Sequence, residues 1–198
     1  IEVSQGIYQQ STPELQQAEI AAACTAAQEA NAVFPHTVTS LVFTNEYVTD
    51  TATTNAVLAM LTANKPAAKA LGLKVGVRSQ TFGQLTNPAS PYLAPLQTLV
   101  RNCDFILCNL YPPNPPGTIQ DSLFSVTRAF DGITAAVVAV NPQCDVMIGE
   151  TGWPSAGISF NNSINTVENA RSYFEAVRQW SLERRAVAHY FQAIDEAW

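Results

Sequence analysis

The sequence has few charged side chains and no long apolar run. Lys, Arg, Asp and Glu make up only 13% of the 198 residues, and the net charge at neutral pH is −6. Because nucleic acids and anionic membrane surfaces attract basic proteins, this acidic chain is not expected to bind either. No stretch of about 18 or more apolar residues is present, so no membrane span is predicted. With 47% hydrophobic residues, one sizeable core is expected in a single domain over residues 1–198.

Motifs for metals and phosphates are also missing. The four cysteines are Cys24, Cys103, Cys108 and Cys144, and they show no C-x-x-C spacing. No glycine-rich phosphate loop follows a predicted strand, so no metal, nucleotide or flavin cofactor is expected. Cys103 and Cys144 each open a strand, and the two strands are expected to be neighbours. A disulfide between them is geometrically reasonable, and four buried free thiols fit the sequence equally well.

The location of the protein is predicted from its surface chemistry. Asn161 belongs to the sequon Asn161-Asn162-Ser163, which is the single N-glycosylation sequon of the chain. Low charge, acidity and this sequon together favour a secreted protein of the extracellular space or cell wall. The chain opens directly on strand-like residues and shows no signal peptide. A segment before residue 1 is therefore expected to have been removed or to be missing.

Apolar segments of strand and helix type alternate along the chain. Strands are predicted at 1–8, 38–45, 73–79, 103–110, 146–149 and 186–193. Helices are predicted at 12–32, 51–70, 92–101, 122–140 and 166–184. This alternation is typical of βα units in a parallel sheet.

An open doubly wound sheet and a (β/α) barrel both fit this alternation. The missing phosphate loops count against the open sheet. Distinctive polar and aromatic residues follow the strand C-termini, where barrel enzymes build their active sites. Since a full barrel has eight strands, the prediction is an α/β fold of TIM-barrel type that is incomplete, with six βα units.

Two carboxylates are predicted at the same rim of this sheet. Glu46 closes the segment T-S-L-V-F-T-N-E, and Glu150 lies within C-D-V-M-I-G-E-T-G-W-P-S. Glycosidic bond cleavage needs such a pair, one carboxyl group to protonate the leaving oxygen and one to attack carbon or activate water. The alternative is structural, since a glutamate at a strand end can also cap the next helix or pair with an arginine.

Four segments carry a resemblance to a known family. They are F-T-N-E at 43–46, N-L-Y-P at 109–112, I-G-E-T-G-W-P-S at 148–155 and Y-F-Q-A-I-D-E-A-W at 190–198. In sequence and order they resemble glycoside hydrolase family 17, the β-1,3-glucanases and β-1,3-glucanosyltransferases of plants and fungi. The resemblance implies a retaining enzyme acting on β-1,3-glucan, by hydrolysis or glucan transfer, with Glu46 as acid/base and Glu150 as nucleophile.

The resemblance also implies roles for the residues around the two carboxylates. Asn45 would hydrogen-bond the sugar 2-hydroxyl, and Tyr111 would line the cleft and orient Glu150. The remaining substrate-binding candidates are Trp153, Phe191 and Trp198, which would stack on sugar faces, and Glu196, which would make a polar contact. For each aromatic residue the alternative is packing at the rim.

The chain departs from the family pattern in two places. Thr44 stands where the family usually has glycine, so its side chain is expected to crowd the acid. The first strand resembles the family's third strand, so two βα units are absent and two sheet edges would be open. A missing N-terminal segment, a shorter closure or other copies of the chain are expected to cover them. The rival hypothesis is a non-catalytic structural or carbohydrate-binding protein that self-assembles through these edges.

Three other ionisable residues are possible site residues. Arg78 at a strand end can approach a carboxylate or remain a solvated rim charge. His36 and His189 are expected to be structural.

Overall fold

The computed structural model describes residues 2–112, 118–157 and 165–192. Strands and helices alternate along these ranges. The elements are β1 (Val3–Ile7), α1 (Pro13–Val33), β2 (Val38–Asn45), α2 (Thr51–Ala70), β3 (Lys74–Ser79), a 3₁₀ helix (Thr81–Thr86), α3 (Leu93–Asn102), β4 (Phe105–Asn109), α4 (Ile119–Val140), β5 (Asp145–Thr151), α5 (Val167–Arg184) and β6 (Ala188–Tyr190).

The six strands form one parallel sheet in the order β1-β2-β3-β4-β5-β6. Each strand pairs with the next strand in sequence, and at least one helix makes each crossover, as in a (β/α) barrel. Within the described ranges β1 and β6 each pair on one side only, so the sheet is a half-barrel with two open edges. The predicted incomplete (β/α) barrel is therefore confirmed.

Side chains at the helix N-termini fix where the helices begin. Thr12 and Asp50 cap α1 and α2 at the predicted positions by accepting hydrogen bonds from backbone N–H groups. Helix α4 begins at Ile119, three residues before the predicted start. The reason is a reciprocal capping box, in which the Asp121 N–H donates to Thr118 Oγ1 and the Thr118 N–H donates to Asp121 Oδ2, both at 3.1 Å.

The two faces of the sheet carry different cores. The main hydrophobic core, which includes Leu41, Phe43 and Val77, lies between the sheet and the helices. A smaller cluster of Val42, Phe105 and Leu107 lies on the other, concave face. Gly76 has no side chain because a Cβ there would collide with the Phe105 ring. The concave face is thus lightly filled, which leaves room for a cleft.

Asp104 joins the N-terminal end of β4 to β3 and α2. Its carboxylate accepts from the Val75 N–H at 2.8 Å and pairs with Lys69 at 2.8 Å and Lys65 at 3.4 Å. Burial acts to raise the pKa of Asp104, but the hydrogen bonds from Lys69 and Val75 and the charge of Lys65 outweigh it. The pKa therefore lies below its ordinary value.

The predicted disulfide between Cys103 and Cys144 is not formed, and all four cysteines are free thiols. The Cys144 thiol lies against the carbonyl of Asp145, with Sγ 3.8 Å from that oxygen. Burial raises the pKa of Cys103 well above its ordinary value and that of Cys144 to about 12. The structure therefore corresponds to the alternative of free thiols.

Helix α4 alone among the described helices is long and apolar enough to cross a membrane, by length and composition. It nevertheless carries a buried stripe of Val126, Phe130, Ile133 and Val137 that packs in the half-barrel. The expected absence of a membrane span stays a prediction, as does the single domain over 1–198. Asn161 lies outside the described residues.

Candidate active site

The irregular end of β2 positions Asn45 and Glu46. The register between β2 and β3 shifts after Phe43, so that Asn45 pairs with Arg78. Thr44 and Glu46 both have left-handed backbone conformations, with φ of 62° and 56°. The Glu46 N–H then donates to the Arg78 carbonyl at 3.1 Å. This hydrogen bond anchors the acid candidate at the C-terminal end of the strand.

A second register shift positions Glu150. Between β4 and β5 the pairing shifts after Cys108, and Asn109 becomes the partner of Glu150. Gly149 precedes the carboxylate and has no room for a side chain. A Cβ there would lie 2.7 Å from Leu107 Cβ, 2.9 Å from Asn109 Oδ1 and 3.0 Å from Arg78 Cγ. The lack of a side chain at Gly149 therefore leaves room for the Asn109 and Arg78 side chains next to Glu150.

Asn109 and Arg78 connect the two halves of the site. Asn109 Nδ2 lies 2.9 Å from Glu46 Oε1, to which it donates, and 3.3 Å from Asn45 Oδ1. Arg78 Nε donates to the same Asn45 oxygen at 2.9 Å. Because its oxygen accepts from two donors, the Asn45 amide is oriented with Nδ2 as the group left to donate to a ligand.

Two donors converge on Glu150, whose side chain is 13% exposed. The Tyr111 hydroxyl donates to Oε2 at 2.9 Å, and the Arg78 guanidinium lies 3.4 Å from Oε1. Burial raises the pKa of Tyr111, and the hydrogen bond to Glu150 and the negative charges of Glu150 and Glu46 raise it further. The phenol therefore stays protonated at neutral pH and can donate its hydrogen bond to Glu150, and both carboxylates lie close enough to affect it.

A cavity of about 540 Å³ opens beside these residues on the concave face of the sheet. Its walls include Asn45, Arg78 and Gly149 from the site, Thr44 from β2 and Tyr8, which directly follows β1. His189 also lines it, and its Nδ1 lies 3.1 Å from the Ile148 carbonyl oxygen. The volume is in the range of small-ligand sites, so part of an oligosaccharide can enter it.

The structure brings together four of the predicted site residues, Glu46, Glu150, Asn45 and Tyr111. Trp153 differs, since it is 8% exposed and packs on Tyr173 with ring centroids 5.6 Å apart. The alternative of rim packing therefore describes Trp153. Phe191 follows β6 with an exposed ring, while Glu196 and Trp198 lie outside the described residues.

The sequence predicts no separate role for Asn109 and leaves two alternatives open for Arg78. Arg78 approaches a carboxylate, which settles its alternatives. The signal for both residues was their position at strand ends, but the contacts depend on the two register shifts. Thr44 is 1% exposed, and its Oγ1 has no hydrogen-bond partner among the described residues. The expected crowding of the acid by its side chain stays a prediction.

No group of three or more His, Cys, Asp or Glu side chains in the described part of the chain is arranged to hold a metal ion.

Comparisons with known proteins give the family. Residues 1–198 match the model of the BtgE/BtgC glycoside hydrolase domain. A glucan 1,3-beta-glucosidase of Saccharomyces cerevisiae is 27% identical over 109 residues, which cover 50% of this chain and 33% of that protein. A glucan 1,3-beta-glucosidase of Candida albicans is 44% identical over 55 residues, covering 26% and 17%. The chain thus spans a third or less of these curated relatives.

Solved structures show the same fold. An endo-laminarinase from Formosa superposes with a TM-score of 0.71 at 20% identity, covering 97% of this chain and 56% of that one. A family 17 β-1,3-glucanosyltransferase from Rhizomucor miehei gives a TM-score of 0.67 at 21% identity, covering 100% and 65%. With the family model matched from end to end, the resemblance to glycoside hydrolase family 17 is confirmed, and the chain belongs to the BtgE/BtgC glycoside hydrolase domain family.

Proposed function

We propose that this protein is a retaining glycoside hydrolase or transglycosylase that acts on β-1,3-glucan, with Glu46 as acid/base and Glu150 as nucleophile. The observation that carries the proposal is the position of Asn109. Its side chain donates to Glu46, and its backbone pairs with Glu150. Both carboxylates therefore lie within reach of one residue, as two groups acting on one sugar ring must.

In the first step the Glu150 carboxylate attacks the anomeric carbon. The glycosidic C–O bond breaks, and Glu46 gives its proton to the departing oxygen. Tyr111 and Arg78 donate to the oxygens of Glu150, which suits an anionic carboxylate and fixes its orientation. The Asn45 Nδ2 group is oriented to donate to a sugar hydroxyl.

In the second step water or a glucan hydroxyl attacks the anomeric carbon of the covalent glycosyl-enzyme. Glu46 takes the proton of the attacking group, and the bond to Glu150 breaks to restore its carboxylate. Two inversions at the same carbon retain the β configuration. The attacking group decides between hydrolysis and glucan transfer.

The test is turnover of laminarin by the wild type, Glu150→Gln and Glu46→Gln. We expect losses on the order of 10³-fold for Glu150→Gln and about 10²-fold or more for Glu46→Gln. Proton NMR of the first-formed reducing ends checks the stereochemistry, and β anomers are expected. Glu29→Gln is the matched control, since Glu29 is exposed on α1, away from the strand C-termini.

Two results would refute the mechanism. Equal laminarin turnover by the wild type and Glu150→Gln would remove Glu150 as nucleophile. Initial formation of α anomers would indicate an inverting reaction, in which the second carboxylate activates water instead of forming a covalent bond.

The open sheet edges support a second candidate function, self-assembly without catalysis. Among the described elements β1 and β6 are edge strands, and such edges pair readily with other strands. Light scattering coupled to size exclusion distinguishes the candidates. Oligomers without laminarin turnover would support assembly, and a monomer that cleaves laminarin would refute it.

Secretion to the cell surface and glycosylation at Asn161 complete the proposal. A loss of mass after treatment of the native protein with an amidase that removes N-glycans would support both. An unchanged mass would refute the glycosylation.

A further inference from the structure

Tyr8 lies directly after β1 with 67% of its surface exposed. Ser4 and Gly6 line the concave cavity, and the alternation of a strand places the side chain of Tyr8 on that same face. Ile7 pairs with Phe43, so Tyr8 lies beside Thr44, two residues before Glu46. Neighbouring strands are about 4.8 Å apart, so the backbone of Tyr8 lies one strand away from the segment that carries Asn45 and Glu46.

The backbone of Tyr8 is held at both of its polar groups by α1. The Tyr8 N–H donates to Glu19 Oε1 at 3.1 Å, and Gln16 Nε2 donates to the Tyr8 carbonyl at 3.2 Å. Gln16 Oε1 also accepts from the Gln10 N–H at 2.9 Å, and Gln16 is only 9% exposed. An exposed ring on a fixed backbone can bind a ligand with little loss of conformational entropy.

The floor next to Tyr8 is open. A Cβ added at Gly6 would have no heavy atom within 4 Å. The same cavity is lined by Asn45 and Arg78, and Arg78 contacts Glu150, so a glucan chain held at the two carboxylates can extend toward the Tyr8 ring. The ring offers a flat apolar face and a hydroxyl at its edge, which together match the C–H face and the hydroxyl groups of a pyranose.

We propose that Tyr8 forms an additional sugar-binding subsite, in which its ring stacks on a glucosyl unit next to the one that reacts. The proposal rests on the proposed function, because the occupant is a β-1,3-glucan chain held at Glu46 and Glu150. Tyr8 acts in binding and takes no part in proton transfer or bond cleavage.

The experiment measures laminarihexaose affinity by isothermal titration calorimetry in the inactive Glu150→Gln protein. Adding Tyr8→Ala is expected to weaken binding about tenfold, in keeping with the loss of one aromatic face. Tyr8→Phe is expected to stay within about twofold, since it keeps the ring. Phe34→Ala is the matched control, because Phe34 is an equally exposed aromatic at the opposite end of β2.

The outcomes separate this proposal from the proposed function. If Glu150→Gln binds laminarihexaose and Tyr8→Ala binds it equally well, the subsite is refuted while the glucan site stands. If Glu150→Gln shows no binding, the glucan site fails and the subsite fails with it. Tyr8→Leu keeps apolar bulk without a flat ring, so it decides the question if Tyr8→Ala does not fold. Affinity equal to that of Tyr8→Phe would then overturn the proposal.

Discussion

Replacing Thr44 by glycine is expected to stabilise the protein. Thr44 is a β-branched residue with φ of 62°, a left-handed conformation that favours glycine. It is also buried, and its hydroxyl has no hydrogen-bond partner among the described residues. Glycine removes both unfavourable features at once, and it is the residue that family 17 usually has at this position.

The expected size of the effect follows from four contributions to the free energy of unfolding. Relief of the backbone strain contributes about 1–3 kcal/mol. Removal of the unpaired buried hydroxyl contributes about 1–3 kcal/mol. Against these stand the larger backbone entropy that glycine loses on folding, about 0.5–1 kcal/mol, and about 0.8 kcal/mol for each buried carbon removed. The net gain is about 2 kcal/mol, which raises the unfolding midpoint by about 4–8 °C.

Thermal unfolding followed by circular dichroism measures this gain, and two further variants separate its causes. Thr44→Ala removes the hydroxyl but keeps a Cβ in the left-handed conformation, so we expect a smaller rise. Arg185→Gly relieves an exposed left-handed residue at the end of α5 without a buried hydroxyl, so it tests the backbone contribution alone. A midpoint of Thr44→Gly at or below that of the wild type would show that Thr44 is not strained, and would refute the reasoning.

Three more predictions concern the site and the sheet. Gly149→Ala is expected to lower laminarin turnover at least about tenfold and the free energy of unfolding by about 1–3 kcal/mol, because its Cβ would overlap three side-chain atoms. The control is Gly83→Ala, since a Cβ at Gly83 would have open space. Tyr111→Phe is expected to lower kcat about tenfold or more with an unchanged unfolding midpoint, since it removes one hydrogen bond to the proposed nucleophile at the cleft surface. An unchanged kcat would contradict the positioning role of Tyr111. The pKa of Asp104 is lowered by folding, so the stability it contributes is complete above about pH 4 and is lost as the pH falls through the lowered pKa. Asp104→Asn should therefore lower the unfolding midpoint at pH 7 and lose this deficit in acid, whereas a deficit independent of pH would contradict the assignment.

The order of strands and helices could be predicted because each carries a local signal. Thr12 with Pro13 and Asp50 with Thr51 mark helix starts by groups that satisfy the first backbone N–H donors. The sequence predicts too late a start for α4, because Thr118 follows a proline-rich segment and its capping box has Asp121 where Glu or Gln is more usual. The 3₁₀ helix Thr81–Thr86 was not predicted, since its six residues show no helical period.

The two carboxylates could be predicted from sequence, but the contacts between them could not. A regular parallel pairing would put Thr44 opposite Arg78, continuing the step from Phe43 and Val77. The register shift instead gives Arg78 the partner Asn45, which brings the guanidinium to the Asn45 oxygen. The same kind of shift gives Asn109 the partner Glu150. One inserted residue reverses the face on which every later side chain lies, and no local pattern in the sequence marks where that insertion occurs.

The identity of residue 44 and its backbone conformation are both unusual. The sequence showed a threonine where family 17 usually has glycine, and the structure gives the physical reason that glycine suits the position. The left-handed turn at Thr44 is part of the β2 irregularity that shifts the register, so the strain and the placement of Asn45 have one origin. A substitution that let this segment return to regular pairing would move Asn45 away from Arg78 and Asn109. The activity of Thr44→Gly therefore reports whether the turn, and not the threonine side chain, holds the two proposed catalytic residues in place.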